Sequence, residues 1–305
     1  MVRRERAAMI GRATVLALLT WLGLHAAAAH DLTPFQEPGR SHVLHEDVSA
    51  SGAEMINVET YVPAACAAKP CPLVVSLHGL NRNAEAARDN WGEAAERYGL
   101  LVAAPHFDKE RFPTRLFQQG GVRGEPDRTR WVYSIIERFF DRALKSGRVS
   151  GTSYVLFGHS AGAQFVHRMA LLLPEARYST AVSANAGYYT LPVWREGAGG
   201  LAYPYSLEGT PATEATLKAA FAKPLWVMLG DQDIDPDHPQ LNKSRGAQAQ
   251  GANRLARGEH FMVVAVGEAK RLGAESRWRE IVVPGVAHQS RQMANAAADA
   301  LFGGK

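Results

Sequence analysis

Cysteine is close to absent from this chain of 305 residues, which holds two, Cys66 and Cys71. The four residues between them do not match the C-x-x-C spacing of a redox pair, so a thiol oxidoreductase of that kind is excluded. In an oxidising compartment the two are expected to form a disulfide closing a short turn, worth about 2 kcal/mol on the chain-entropy model. Long apolar runs are missing too. The most apolar stretch, Ala13 to Leu24, is about a dozen residues long where a bilayer span needs about twenty, so no stable membrane anchor is expected. No cysteine follows it at a lipoprotein cleavage position. An excess of one charge sign is also lacking: the net charge is +4, and setting aside the four Arg and one Glu of residues 1–29 leaves +1. The pI of about 9.1 therefore carries no signal for a nucleic-acid partner. There is no internal repeat, long linker or low-complexity tract.

The N-terminus has the composition of a targeting segment. Arg3, Arg4, Arg6 and Arg12 precede the apolar run, which ends in Ala27-Ala28-Ala29. A signal peptide over residues 1–29 is expected, cleaved before His30, leaving residues 30–305 as one domain that is exported to a periplasm or outside the cell. A hydrophobic content of 46% with 21% charged residues fits a soluble globular domain with a sizeable core.

Past the leader, apolar runs alternate with helical patterns, which predicts an α/β domain with a mostly parallel sheet and helices on both faces. Eight strands are expected: His42 to Val48, Met55 to Val62, Leu73 to Leu77, Leu100 to Ala104, Tyr154 to Phe157, Thr180 to Ala184, Leu225 to Leu229 and Trp278 to Val283. The first two, joined to the third through the cysteine loop, should form an antiparallel hairpin at one edge. The clearest helix is expected from about Arg128 to Lys145, with Val132, Ile135, Ile136, Phe139, Phe140, Ala143 and Leu144 on one stripe, Asp127 as cap and Gly147 as stop. Two stretches resist assignment, Asp108 to Pro126 and Leu191 to Lys223. Each leaves the C-terminal end of an expected strand, the side on which open α/β sheets bind ligands.

The most informative segment is Gly158-His159-Ser160-Ala161-Gly162, directly after Tyr154-Val155-Leu156-Phe157 and before a helical pattern. A strand running into G-x-S-x-G and then a helix is a nucleophile elbow, which holds a serine hydroxyl exposed on a strained turn. The two glycines answer a steric need where strand and helix backbones come close. A serine needs a base and an orienting acid, in the chain order Ser, acid, His. The strand Leu225 to Leu229 ends at Gly230-Asp231-Gln232-Asp233-Ile234-Asp235, and Ile281-Val282-Val283 leads into Pro284-Gly285-Val286-Ala287-His288. His288 is the candidate base. Asp233 fits G-x-x-D after its strand, with Asp231 and Asp235 as alternatives. A calcium loop competes for the same carboxylates, but Pro236 replaces the required Gly and Asn242 stands where the bidentate Glu belongs. No metal site is expected. His159 should neighbour the nucleophile while pointing away from the base, and His167 and His260 fall in helical patterns as structural residues.

An oxyanion needs two preorganised N–H donors. Ala161, immediately after the serine, is one candidate. Leu80, in the loop His78-Gly79-Leu80-Asn81 after the third strand, is the second, with Asn81 its alternative. Tyr188, Tyr189, Trp194 and Trp91 follow the relevant strands and loops and are candidates for an aromatic, substrate-binding wall near the serine.

With the elbow, the His78-Gly79 loop, the Gly230-x-x-Asp233 loop and Gly285-x-x-His288 in this order, the chain resembles the α/β-hydrolase superfamily from about His42 to Phe302. Its early hairpin, Leu77-His78-Gly79 loop and Ala104-Pro105 strand end are similar to secreted esterases grouped with bacterial poly(3-hydroxybutyrate) depolymerases and feruloyl or acetylxylan esterases. The resemblance implies Ser160, Asp233 and His288 as nucleophile, orienting acid and general base, an ester substrate that is a small molecule or a polyester such as a polyhydroxyalkanoate, and no cofactor. A peptidase of the prolyl oligopeptidase type shares triad and fold, but its usual propeller or positively charged peptide anchor has no counterpart here. A non-catalytic binding protein on this scaffold typically loses a triad residue, whereas all three positions are filled. A dehalogenase would need Asp in place of Ser160.

Overall fold

The computed structural model describes residues 33–47, 55–195 and 199–304. The expected leader, residues 1–29, and Val48 of the first expected strand lie outside them. Among the described residues, eight strands form one sheet in the order β1-β2-β4-β3-β5-β6-β7-β8: β1 Gly39–Glu46, β2 Met55–Val62, β3 Cys71–Leu77, β4 Leu101–Pro105, β5 Val149–His159, β6 Tyr178–Ala184, β7 Leu225–Gly230 and β8 Arg279–Val283. The expected edge hairpin is present as the antiparallel pair β1 and β2. β2 then pairs antiparallel with β4, not with β3, and every pairing from β4 to β8 is parallel. Between β2 and β3 the Cys66–Cys71 disulfide is formed.

The period-two pattern of the strands decides which side chains meet which helices. In β3, Leu73, Val75 and Leu77 join the larger core, while Val74 faces the other way into the smaller one. The larger core is completed by α4 Tyr133–Lys145, α5 Ala161–Leu172, α6 Glu214–Phe221 and α8 Arg254–Arg271, through residues such as Phe139, Phe165, Leu217 and Phe261. The opposite face is covered by α2 Gly92–Tyr98 and α9 Ser290–Phe302, through Ala94, Ala95, Met293 and Ala297, with α1 Ala84–Asp89 beside them. The short helices α3 Thr114–Phe117 and α7 Arg245–Gln248 lie in the two loop regions that precede α4 and α8.

The long amphipathic helix begins later than expected. Asp127 accepts from the Thr129 N–H and caps a short 3-10 turn, Arg128–Arg130, after which Trp131 adopts an extended conformation with ψ 145°. That residue is fully buried, and its indole N–H donates to the Glu125 carbonyl. Burying the ring costs one turn of helix continuity, and α4 starts at Tyr133 with the expected apolar stripe intact.

Of the two unassigned stretches, the first contains α3 and the second α6. Arg168 of α5, fully buried, links the first to the residue just before the second, donating to the Gln118 carbonyl and to the Thr190 hydroxyl. Tyr203 adds a hydroxyl bond to the Gln119 carbonyl. Among the described residues, no helix is long and apolar enough to cross a membrane.

Candidate active site

The turn between β5 and α5 is built by backbone contacts that tolerate no side chain. A Cβ on Gly158 would lie 2.3 Å from the Gly162 carbonyl oxygen, and one on Gly162 would lie 2.3 Å from the Leu77 carbonyl oxygen. Ser160 between them is held at φ +59°, ψ −111°, a region that L-residues avoid. This strain projects its hydroxyl over the carboxyl ends of the strands. Gly79 packs from the adjacent loop, its Cβ position 3.8 Å from that of Ser160.

The structure brings Ser160, His288 and Asp233 together from three separate loops. The Ser160 hydroxyl donates to His288 Nε2 at 3.0 Å, and His288 Nδ1 donates to Asp233 Oδ2 at 2.7 Å. Nε2 can accept from the serine only if the ring proton resides on Nδ1, the tautomer that the carboxylate selects. Asp233 is 3% exposed. Burial pushes its carboxyl up, but the His288 bond and the charges of His288 and Arg254 together hold it below the usual carboxylate range. The two neighbouring carboxylates go elsewhere: Asp231 accepts from the Gly285 N–H and Asp235 from the Asp237 N–H. Among the described residues, no group of three or more His, Cys, Asp or Glu is placed to hold a metal ion.

The acid and base loops are locked to each other. A Cβ on Gly230 would lie 2.3 Å from the Val286 carbonyl oxygen, and Gln232 donates its backbone N–H to that same oxygen. Asn185, which no sequence motif marks, completes the lock. Its side chain accepts from the Gly230 N–H and donates to the Ala287 carbonyl. The available signal was a polar residue placed directly after the apolar strand β6.

The candidate oxyanion donors come from two segments, the start of α5 and the loop after β3. Ala161 opens α5, so its N–H belongs to the first-turn donors that lack an intrahelical acceptor. Leu80 is 37% exposed and lines the cleft together with Gly79 and Asn81. Their loop is anchored from below by two buried cations or potential cations. His78 accepts the Phe107 N–H on Nε2 and donates from Nδ1 to the Gly79 carbonyl. Burial lowers its pKa to about 3, outweighing the Gly79 bond, so the ring is neutral. Arg82, at φ +61°, donates to the Phe107 and Phe112 carbonyls and stacks over Phe117 at 4.2 Å. The stretch after β4 thus serves as the footing of the His78–Arg82 loop.

The expected aromatic wall is corrected by the structure. The cleft at Ser160 is lined by polar side chains such as Asn81, Asn83, Asn90, Gln240 and Ser290 together with the apolar Leu80, Ala86 and Ala87, and none of the four aromatic rings is among its lining residues. Trp91 is fully buried on the α2 side of the sheet, edge-on to Phe157. Tyr189 is also fully buried, stacked on Phe261. Tyr188 is buried under the Arg168 guanidinium, and Trp194 packs against the larger core.

His159 differs as well. Its ring does not turn away from the base: it packs against His288 with centroids 4.5 Å apart. Burial, with the charges of His288 and Arg254, keeps it far below the usual histidine range and therefore neutral. His167 is fully buried in α5, bonded to the Ala163 carbonyl and the Thr190 N–H. His260 lies in α8.

No protein-family model and no curated protein matches the chain. Among solved structures it is similar to poly(aspartic acid) hydrolase-1 from Sphingomonas sp. KT-1, with 34% identity over 86% of this chain and 98% of that one, and a TM-score of 0.79. It is likewise similar to LpqC, a poly(3-hydroxybutyrate) depolymerase from Bordetella parapertussis, with 31% identity over 88% of this chain and 92% of that one, and a TM-score of 0.80. An S-formylglutathione hydrolase from Agrobacterium tumefaciens shares the fold at 17% identity, covering 86% of this chain and 92% of that one, with a TM-score of 0.54.

Proposed function

The chain belongs to the serine esterases of the α/β-hydrolase superfamily, and we propose that it is an exported enzyme cleaving carboxylic esters through Ser160, His288 and Asp233, with a polyester of the polyhydroxyalkanoate type as its substrate class. The observation that carries this reading is the unbroken hydrogen-bond path from the Ser160 hydroxyl through both ring nitrogens of His288 to Asp233.

In that role, Ser160 Oγ attacks the ester carbonyl carbon while its proton passes to His288 Nε2. The carbonyl oxygen becomes an oxyanion facing the N–H groups of Ala161 and Leu80. Asp233 keeps its bond to Nδ1–H and stabilises the imidazolium without taking the proton. Collapse of the tetrahedral intermediate breaks the ester C–O bond, and the leaving alkoxide takes the proton from Nε2. Water then repeats the sequence on the acyl-serine: it gives a proton to Nε2, attacks the acyl carbon, and Ser160 leaves as the hydroxyl. Export is supported by the Cys66–Cys71 disulfide and by the leader-like composition of residues 1–29.

The similarity to a poly(aspartic acid) hydrolase favours a second reading, cleavage of an amide-linked polymer by the same groups. Hydrolysis of p-nitrophenyl butyrate, poly(3-hydroxybutyrate) and poly(aspartic acid) by the wild type and Ser160→Ala separates these readings. The substitution should lower ester turnover by about 10³-fold or more. Equal rates for the two proteins overturn the proposal, and release from poly(aspartic acid) alone selects the second reading.

A further inference from the structure

Arg254, the first residue of α8, is a cation in a doubly costly place. Its side chain is 1% exposed, and it sits at a helix N-terminus, where the first-turn N–H groups present partial positive charge. The helix does not need it as a cap, since Asn253 accepts from the Ala256 N–H. What Arg254 does have is the outer oxygen of Asp233: Nη1 donates to Oδ1 at 3.1 Å, while Oδ2 accepts from His288. Its Nη2 lies 3.3 Å from His238 Nδ1, which also accepts the Gln240 N–H. An Nδ1 that accepts twice carries no proton, so His238 is neutral. Its ring stands edge-on to His288 with centroids 5.4 Å apart. Four side chains thus close a circuit, His288 to Asp233 to Arg254 to His238 and back to His288.

We propose that Arg254 is a positioning residue for the hydrolysis: it fixes the Asp233 carboxylate by one oxygen and offsets its charge, so that the carboxylate aligns the His288 ring without over-stabilising the imidazolium. This rests on the reading of Ser160, His288 and Asp233 given above. The physical argument is one of balance. A lone carboxylate at 2.7 Å favours the imidazolium strongly in a dry site, and a guanidinium on its far oxygen cancels much of that attraction. The other groups facing His288 are the rings of His159 from β5 and His238 from the loop after β7. Both are neutral and supply no compensating charge. Asp235 lies near His238, Arg257 beside Arg254 and Tyr189 near Asp233, without a bond to His288 from any of them.

A purely structural ion pair would change the folded fraction without moving the titration of the folded molecules. The test uses the full chain with Arg254→Gln, which can still donate to Oδ1 but carries no charge, and Arg254→Lys, which keeps the charge. The His288 ring is titrated by NMR, alongside kcat/KM for p-nitrophenyl butyrate against pH. In Arg254→Gln the ring titration and the acid limb of the rate profile should both move up by about one pH unit. In Arg254→Lys they should stay near the wild-type position. An unmoved or lowered titration in Arg254→Gln overturns the proposal, and so does a displacement in Arg254→Lys as large as one unit, whether or not the Gln variant folds. The ring titration needs no turnover. It judges Arg254 independently of whether Ser160→Ala abolishes ester cleavage.

Discussion

The side-chain oxygen of Asn185 accepts the Gly230 N–H at 2.8 Å, so the end of β6 holds the start of the loop that carries Asp233. The same side chain donates to the Ala287 carbonyl, one residue before His288. Asn185 is 1% exposed and adopts φ +51°, a conformation that Asn tolerates better than most residues. Replacing it with Ala removes the partner of the buried Gly230 N–H and of the part-buried Ala287 carbonyl and should cost roughly 2–4 kcal/mol. Chemical denaturation reads the stability loss. Steady-state kinetics should show kcat falling while KM changes little, because the displaced groups orient the base and not the substrate.

The three carboxylates of the loop after β7 are expected to separate sharply. Asp233→Asn leaves the ring of His288 a neighbour but reverses its tautomer preference, and kcat should fall on the order of 10³- to 10⁴-fold. Asp231→Asn and Asp235→Asn should remain within about threefold of wild type, since Asp231 accepts from the Gly285 N–H and the Gln232 amide and Asp235 from the Asp237 N–H, with no bond to His288. Parallel kcat measurements on the three variants decide the assignment, and a large loss for Asp231→Asn alone would point to a different acid.

Stability should decline in mild acid through His78. Its folded-state pKa of about 3 lies below the ordinary 6.5, so the unfolded chain binds a proton that the folded chain refuses as pH falls from 6.5 toward 3. The folded state therefore loses ground across that window and is unaffected above it. The His78 share is roughly 3 kcal/mol between pH 7 and pH 4.5. His159 and His167, also depressed by burial, act in the same direction. Urea denaturation at the two pH values, compared with His78→Gln, should show the pH-dependent loss shrinking in the variant. An unchanged loss would show that the ring is not held neutral.

What could be read from the sequence was what local steric and periodic rules control. Eight strands, the edge hairpin and the elbow follow from alternation and from glycines whose absent Cβ the backbone requires, as at Gly158 and Gly162. The meeting of Ser160, Asp233 and His288 was legible as chain order, because each follows a strand and parallel strands end on one side. Illegible were properties set by packing across the sheet. Trp91 and Tyr189 carry the same local signals as wall-forming aromatics, and only the arrangement of α2 and α8 buries them. Asn185 and Arg254 act over separations of 45 and 21 residues, with no motif to mark them. The orientation of His159 is equally illegible, because the direction of a side chain beside a positive-φ residue does not follow strand alternation.

Strand β3 begins at the disulfide-bonded Cys71 and ends one residue before His78. Seven residues of extended chain span about 20 Å, so the covalent cross-link and the chemistry occupy opposite ends of one rod. Reducing the cross-link is therefore expected to shorten the lifetime of the folded molecule, while the turnover of each surviving molecule, decided at the far end, is expected to stay the same.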